Sequence, residues 1–255
     1  MNVVVILAGG LGKRMESNIP KVLHKVHGLP MLIHVINRAK DLNADKILVV
    51  VGKYIDLIRT YLTDYNVIHN IELVYQEKAL GTGHAVLCCR EHFKDVNSKV
   101  LILSGDVPLI TTRSLQNMLK STNNACVMTT IMDEPHGYGR IIDHDGSFIK
   151  IVEHKDCSIH ELLCKKVNAG IYVIHSELLY KYLPKISNNN SQNEYYLTDI
   201  MGLLKADKLN IDTYDVPIEQ QHELKGINTK YQLYEINSNK FTDFQESSCT
   251  SCSIV

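Results

Sequence analysis

The sequence predicts an α/β fold in which a mixed, mostly parallel β-sheet is flanked by helices. Three observations predict it. A β-branched run at residues 3–6 leads into a glycine-rich segment, the pattern of a buried strand that ends in a loop able to approach a ligand closely. Strand-like and helix-like stretches then alternate through the first half, as crossover helices between parallel strands require. After Pro135 the alternation breaks around Asp145 and Gly146, a two-residue hairpin signal that adds a small antiparallel element.

Each element has its own signal. After the first strand and loop, Met31, Leu32, Val35, Ile36 and Ala39 give one apolar helix face, with Pro30 suited to its first turn. Strands are expected at 47–51, 71–75 and 100–103, separated by helices near 54–63 and 82–93. A helix at 114–120 and a strand at 126–132 follow. In the second half, 140–143 and 148–152 flank the hairpin turn, 168–174 returns as a strand, and a helix begins at Ser176 and reaches about residue 186. Residues 187–192 read as a polar loop. A helix at 195–205, a strand near 211–216 and a helix from Thr229 to about residue 244 complete the pattern. No internal repeat or composition shift divides the chain. Residues 1–245 are therefore read as a single domain with halves at about 1–110 and 111–245, and 246–255 as a flexible tail.

Composition excludes several classes of partner. At 255 residues the chain can bury a sizeable core, and its net charge of −1 supplies no basic field for nucleic acid. No apolar stretch approaches the roughly 18 residues that cross a bilayer, so no membrane span is expected. The N-terminus lacks the basic region of a signal peptide. The cysteine number, 7, is odd. Only Cys249 and Cys252 have metal-like spacing, with no second pair to complete a zinc site, so most cysteines read as small apolar fillers in a reducing, cytoplasmic compartment. The terminal Cys252-Ser253-Ile254-Val255 has the form of a prenylation box, but valine is not a usual last residue and no polybasic run precedes it.

The first loop carries the most specific signal. Gly9, Gly10 and Gly12 free the backbone to point N–H groups at a ligand, and Arg14 and Lys21 follow, with Pro20 setting the chain just before Lys21. Lys13 is followed by Arg14 and not by Ser or Thr, so this is no Walker loop. Counting from Gly10 and Gly12, the third glycine of a dinucleotide fingerprint is replaced by Met15. Two cations beside a glycine turn suit a triphosphate.

LAGGLGKRM with PKVL resembles the N-terminal signature of nucleotidyltransferases that make nucleoside-diphosphate sugars. GTGHA (81–85), SGDVPLI (104–110), GYGRI (137–141), IVEHKD (151–156), NAGIY (168–172), EYYLTD (194–199) and GIN (226–228) follow in family order. Together they resemble the uridylyltransferase domain of the N-acetylglucosamine-1-phosphate uridylyltransferases over roughly residues 2–240. The resemblance implies the Rossmann-like nucleotide-diphospho-sugar transferase fold, with nucleotide bound by the first half and sugar by the second. It implies uridylyl transfer from UTP to N-acetylglucosamine 1-phosphate with release of pyrophosphate. The same chemistry on another sugar 1-phosphate such as glucose 1-phosphate, or on another nucleotide, stands beside it. So does a metal-dependent glycosyltransferase built on Asp143 and Asp145. That Asp-x-Asp pattern falls on the hairpin turn, where aspartate is expected for backbone reasons. The acetylating β-helix of bifunctional relatives has a hexapeptide repeat that does not occur in this sequence, so acetyl transfer is not expected, and a homo-oligomer would have to form without it.

The resemblance carries over residue by residue. Arg14 and Lys21 match the two basic catalytic positions, Arg14 on the departing phosphates and Lys21 nearer the α-phosphate and sugar phosphate. Leu7, Ala8, Gly9 and Gly10 with Gln76, Gly81 and Thr82 match the nucleotide site. A glutamine offers both donor and acceptor to uracil, though Gln76 could simply be a polar residue closing a strand. Gly81 and Gly83 bracket a helix start whose N–H groups suit an oxygen-rich ligand. Asp106, just past the strand at 100–103, is a hard oxygen donor suited to Mg²⁺, with Asn228 as second ligand by resemblance. The alternatives are a helix cap or turn residue before Pro108 for Asp106 and a helix cap before Thr229 for Asn228. Gly139, Glu153, Asn168, Tyr196 and Thr198 match the sugar site. Glu153 could instead pair with Lys155, and Tyr196 could be a core aromatic. Ser104 departs from relatives that carry an aromatic residue there. His84 and His154 read as packing or polar-contact residues.

Overall fold

Period-two alternation in the strands decides which helices cover which face of the sheet. In β1 (Asn2–Leu7) the side chains of Val4 and Ile6 belong to one buried layer, and those of Val3 and Val5 to the other. β4 (Lys46–Val51) and β6 (Lys99–Ser104) split the same way: Val49 and Leu101 face the first layer, Leu48 and Val100 the second. Strands buried on both faces are what a sheet covered on both sides requires. The computed structural model describes residues 2–10 and 12–238.

The first layer is closed by α1 (Met31–Asp41), α2 (Ile55–Asp64) and α4 (Thr112–Leu119). The second is closed by α3 (Thr82–Leu87), α6 (Ser176–Tyr182) and α7 (Asp199–Ala206). Between them the strand order is β11 (Ile211–Asp215), β7 (Ala125–Ile131), β10 (Lys166–His175), β6, β1, β4 and β5 (Ile71–Tyr75). β1, β4, β5 and β6 run parallel, β11 is parallel to β7, and β10 runs antiparallel to both β6 and β7. The sheet is therefore mixed and mostly parallel, as expected. β1 lies between β4 and β6, so the chain leaves it in one direction and later returns on its other side. That switch point, at the carboxyl ends of the strands, is where open α/β sheets bind ligands.

The hairpin forms as the turn chemistry demands. β8 (Arg140–His144) and β9 (Ser147–Val152) are joined through Asp145 and Gly146, both at positive φ, 49° and 75°. The hairpin joins the sheet at Arg140, opposite Val167 of β10.

Three elements differ from expectation. A second hairpin, β2 (Lys25–Val26) and β3 (Leu29–Pro30), turns at His27 and Gly28, where a His-Gly pair takes the positive φ more often supplied by Asn-Gly. The helix expected at 195–205 begins only at Asp199. The Tyr195 N–H donates to the Leu80 carbonyl at 2.8 Å and its carbonyl accepts from the Gly83 N–H at 2.7 Å, so its backbone is committed elsewhere. α3 ends at Leu87 and a short 3₁₀ turn over Arg90–Phe93 takes its place. At the end of the described chain lies α8 (Lys230–Ser238); the tail with Cys249 and Cys252 is outside the described residues.

Candidate active site

Four parallel-strand tips build the first cavity. β1 ends at Leu7, whose carbonyl accepts from the Gly105 N–H at 3.0 Å. The Ala8 N–H reaches the Val50 carbonyl and the Gln76 N–H the Val51 carbonyl, each at 2.8 Å. These bonds bring the glycine loop, Gln76 and the loop after β6 to one edge. The cavity they enclose is about 570 Å³, lined by Leu7, Ala8, Gly9, Gly10, Lys21, Gln76, Gly81, Thr82, Ser104 and Asp106, among others. All seven residues expected in the nucleotide site line it.

A second cavity of about 290 Å³ adjoins the first, and Leu7, Thr82, Ser104 and Asp106 line both. Its far walls hold Arg14, Gly139, Glu153, Asn168 and Asn228. Asp106 thus stands between a nucleotide-sized cleft and a smaller polar one.

At that junction the charged groups converge. Lys21 Nζ pairs with Asp106 Oδ2 and donates to Asn228 Oδ1 at 2.7 Å, and Arg14 Nη2 donates to the same Asn228 oxygen at 3.1 Å. Ser104 Oγ donates to the other carboxylate oxygen, Asp106 Oδ1, at 2.6 Å. Local packing delivers each group. Lys21 opens a 3₁₀ turn after Pro20, anchored by buried Val22 and Leu23. Gly12 is at φ +56°, and a β-carbon there would lie 2.7 Å from that of Lys21; only glycine lets the loop close over the lysine. Asn228 arrives from the far half of the chain, and the Ile227 N–H bonds the Asp106 carbonyl at 3.0 Å.

Asn228 is not a helix cap. Thr229 Oγ1 accepts from the Gln232 N–H at 3.2 Å, and Gln232 Oε1 accepts from the Thr229 N–H at 3.1 Å, a capping box that satisfies the start of α8. The Asn228 side chain is thereby free to face the lysine. Two hard oxygens, Asp106 Oδ2 and Asn228 Oδ1, converge on one cationic atom. A pair of this kind suits a divalent ion that completes its shell with water and phosphate oxygens. Among the described residues no cluster of three or more His, Cys, Asp or Glu could form an all-protein metal cage.

The second cavity depends on a bulge. Between Asn168 and Tyr172 the register of β10 against β7 shifts, and Asn168 is held there from three sides. Its N–H donates to the Gly139 carbonyl at 2.9 Å. Its Nδ2 donates to the Tyr172 hydroxyl at 2.7 Å, and its Oδ1 accepts from the Gly170 N–H at 3.0 Å. Glu153 follows the hairpin, and Thr198 Oγ1 donates to its Oε1 at 3.0 Å. Burial pushes the Glu153 carboxyl above the ordinary range, the Thr198 bond opposes this, and Asp199, Asp156 and Glu194 add to the rise. Glu153 therefore does not form the surface pair with Lys155 that its neighbour suggested. Tyr196 and Thr198 line a small separate cavity behind Glu153 together with Asp156 and Asp199.

The two halves are joined by a seam that the motifs did not announce. Gly81 is at φ +120°, and a β-carbon there would come within 2.5 Å of the Tyr195 carbonyl oxygen. Thr82 Oγ1 accepts from the Leu197 N–H at 3.0 Å. The expectation that the Gly83 N–H serves a ligand is corrected, since the Tyr195 carbonyl takes it. These glycines permit close packing of two backbones.

Residues beyond those expected also shape the site. Arg140 is only 2% exposed, and its Nη1 donates to the carbonyls of Tyr138 and, at 2.7 Å, Pro135, which curls the loop bearing His136 and Tyr138 over the second cavity. A buried arginine with carbonyl partners has no signature in sequence spacing. His84 lies at 3.0 Å from Gln76 and beside the Tyr195 ring. Asp143 and Asp145 line neither cavity; Asp143 pairs with Lys166 at 3.5 Å and Asp145 with His144 at 3.1 Å. Burial pushes the Cys126 thiol up to about 12 and Cys89 higher still, which makes both unreactive fillers.

Comparison with known proteins identifies the family and the fold. Residues 4–177 match the MobA-like NTP transferase domain. A probable UDP-N-acetylglucosamine pyrophosphorylase of Acanthamoeba polyphaga mimivirus is 42% identical over 241 residues, 92% of this chain and 94% of that protein. The bifunctional protein GlmU of Clostridium beijerinckii is 42% identical over 235 residues, 91% of this chain and 50% of GlmU, so the chain spans about half the length of the bacterial relatives it matches. A putative glucose-1-phosphate thymidylyltransferase from Bacillus anthracis shares the fold with a TM-score of 0.72 at 19% identity, covering 93% of this chain and 94% of that one.

Proposed function

The chain belongs to the MobA-like NTP transferase family, and from that premise we propose that it transfers a uridylyl group from UTP to N-acetylglucosamine 1-phosphate. In this reading a phosphate oxygen of the sugar 1-phosphate attacks the α-phosphorus of UTP. A new P–O bond forms, the bond from the α-phosphorus to the bridging oxygen breaks, and pyrophosphate leaves with that electron pair. The main barriers are repulsion between two anions and in-line alignment, which cations and positioning overcome without a protein nucleophile.

The observation that carries the reading is the meeting of Lys21, Arg14, Asp106 and Asn228 at the boundary between the two cavities. A nucleotide in the larger cleft and a sugar phosphate in the smaller would bring their phosphates together there. Lys21 would neutralise the α-phosphate and sugar phosphate, and Arg14 the departing phosphates. Asp106 and Asn228 would hold Mg²⁺, which supplies charge neutralisation at the phosphate oxygens. Gln76 would read the base, and Gly139, Glu153 and Asn168 the amino sugar, with Thr198 behind Glu153 and Tyr196 shaping that wall.

The test is pyrophosphate release by the purified protein across nucleoside triphosphates and sugar 1-phosphates with Mg²⁺. UTP with N-acetylglucosamine 1-phosphate is expected to be the best pair. A clear preference for glucose 1-phosphate would overturn the sugar assignment, and a preference for another triphosphate the uridylyl assignment.

A further inference from the structure

A glutamine in isolation can offer either end of its carboxamide, but the neighbours of Gln76 remove that freedom. The Gly81 carbonyl can only accept, and Gln76 Nε2 lies 3.2 Å from it, so the NH₂ end must face it. The second amide hydrogen points at His84 Nδ1, 3.0 Å away. That nitrogen can take it only as an acceptor, which places the ring proton of a neutral His84 on Nε2. Both amide hydrogens are then engaged, and Oε1 is left as the group that can address a ligand. It accepts no hydrogen bond from any described residue. It lies against Gly9, where an added β-carbon would sit 2.8 Å away, so the missing side chain keeps it open. Gln76 is 5% exposed, so reversing the amide would turn its NH₂ toward Gly9 and bring two acceptors, Oε1 and the Gly81 carbonyl, face to face. His84 is itself held, three residues after Gly81 on α3 with its ring beside that of Tyr195.

We propose that His84 is a specificity-determining positioning residue. By accepting from Gln76 beside the Gly81 carbonyl, it completes the pair of acceptors that hold the carboxamide oxygen toward the ligand, and so selects a pyrimidine with an N–H at ring position 3. Uracil carries that proton. Cytosine presents a lone pair at the same position, and two acceptors would then face each other in a buried site. The proposal rests on the uridylyl reading above and adds to it the group that enforces the choice of base.

The experiment compares wild type, His84→Ala and His84→Asn with UTP and CTP, by pyrophosphate release and by calorimetric binding of each nucleotide without sugar phosphate. An asparagine oxygen can replace Nδ1 as acceptor, whereas alanine cannot. The expected result is a roughly ten- to hundredfold fall in the UTP-to-CTP ratio for His84→Ala, the size that an unpaired buried polar group produces. It should come from KM and binding more than from kcat, with most of the ratio retained in His84→Asn. A ratio within about twofold of wild type in His84→Ala, or equal losses in both variants, would overturn the role of His84 and leave the uridylyl assignment standing. A wild-type protein that shows no preference for UTP over CTP would overturn both.

Discussion

The two cavities are built by different means, although one aspartate borders both. Around the larger cavity, Leu7, Gln76 and Asp106 sit at or just past the ends of β1, β5 and β6, and backbone bonds between neighbouring strand tips fix their positions. Around the smaller cavity, Asn168 is aimed by a bulge, Glu153 follows a hairpin, and the loop above them is gathered by buried Arg140. A regular strand tip is a cheap way to place a group, because the sheet that positions it already exists for packing reasons. An irregular pocket needs its own dedicated hydrogen bonds. The lesson is that the groups proposed for phosphate chemistry rest on the core, whereas those proposed for sugar recognition rest on features whose alteration leaves the core intact.

Substitutions that sharpen this contrast differ widely in expected size. Asp106→Ala removes a junction group shared by both cavities and leaves Lys21 without its carboxylate. Pyrophosphate release should fall roughly 100- to 1000-fold in kcat, whichever sugar phosphate is offered. Gly81→Ala attacks the seam, where the new methyl meets the Tyr195 backbone at positive φ. Denaturant titration should show a loss of about 2–3 kcal/mol, with weaker binding of both substrates; unchanged stability would mean that the seam does not couple the halves.

Glu153→Gln should act on one side only. KM for the sugar 1-phosphate is expected to rise roughly tenfold or more, with KM for UTP nearly unchanged; equal effects on both substrates would erase the distinction between the halves. The same carboxyl sets a pH dependence. Its folded pKa is raised chiefly by burial, so the native state keeps the proton at pH values where the unfolded chain has released it. Over that window Glu153 lowers stability as pH rises, because the native state then binds more protons than the unfolded one. Sugar binding should improve at the upper edge of that window, as pH passes through the raised folded pKa and the ionised form appears, and the pH profile should flatten in Glu153→Gln. The smallest effect belongs to Asp143→Ala with Asp145→Ala, out on the exposed hairpin. Activity should stay within about twofold and stability within about 1 kcal/mol; a large loss of activity would revive the glycosyltransferase reading.

The amino-acid sequence alone determined the main strands and helices in their chain order and supplied the groups proposed to hold phosphate. Those features depend on local signals: β-branched runs, the Asp-Gly turn, and a glycine loop with cations at fixed spacing. It also supplied the residues proposed for the sugar site, but through resemblance to a family and not through any local pattern. Tertiary structure decided what depends on contacts between distant segments. The Asn228 side chain turns to Lys21 because Thr229 and Gln232 cap the helix between themselves. The helix expected from residue 195 starts later because Leu80 and Gly83 claim the Tyr195 backbone. His84 meets Gln76 only because folding sets the two side chains against each other. A hydrogen bond needs two partners at one point in space, and partners far apart in the chain leave no spacing for a reader of the sequence to count.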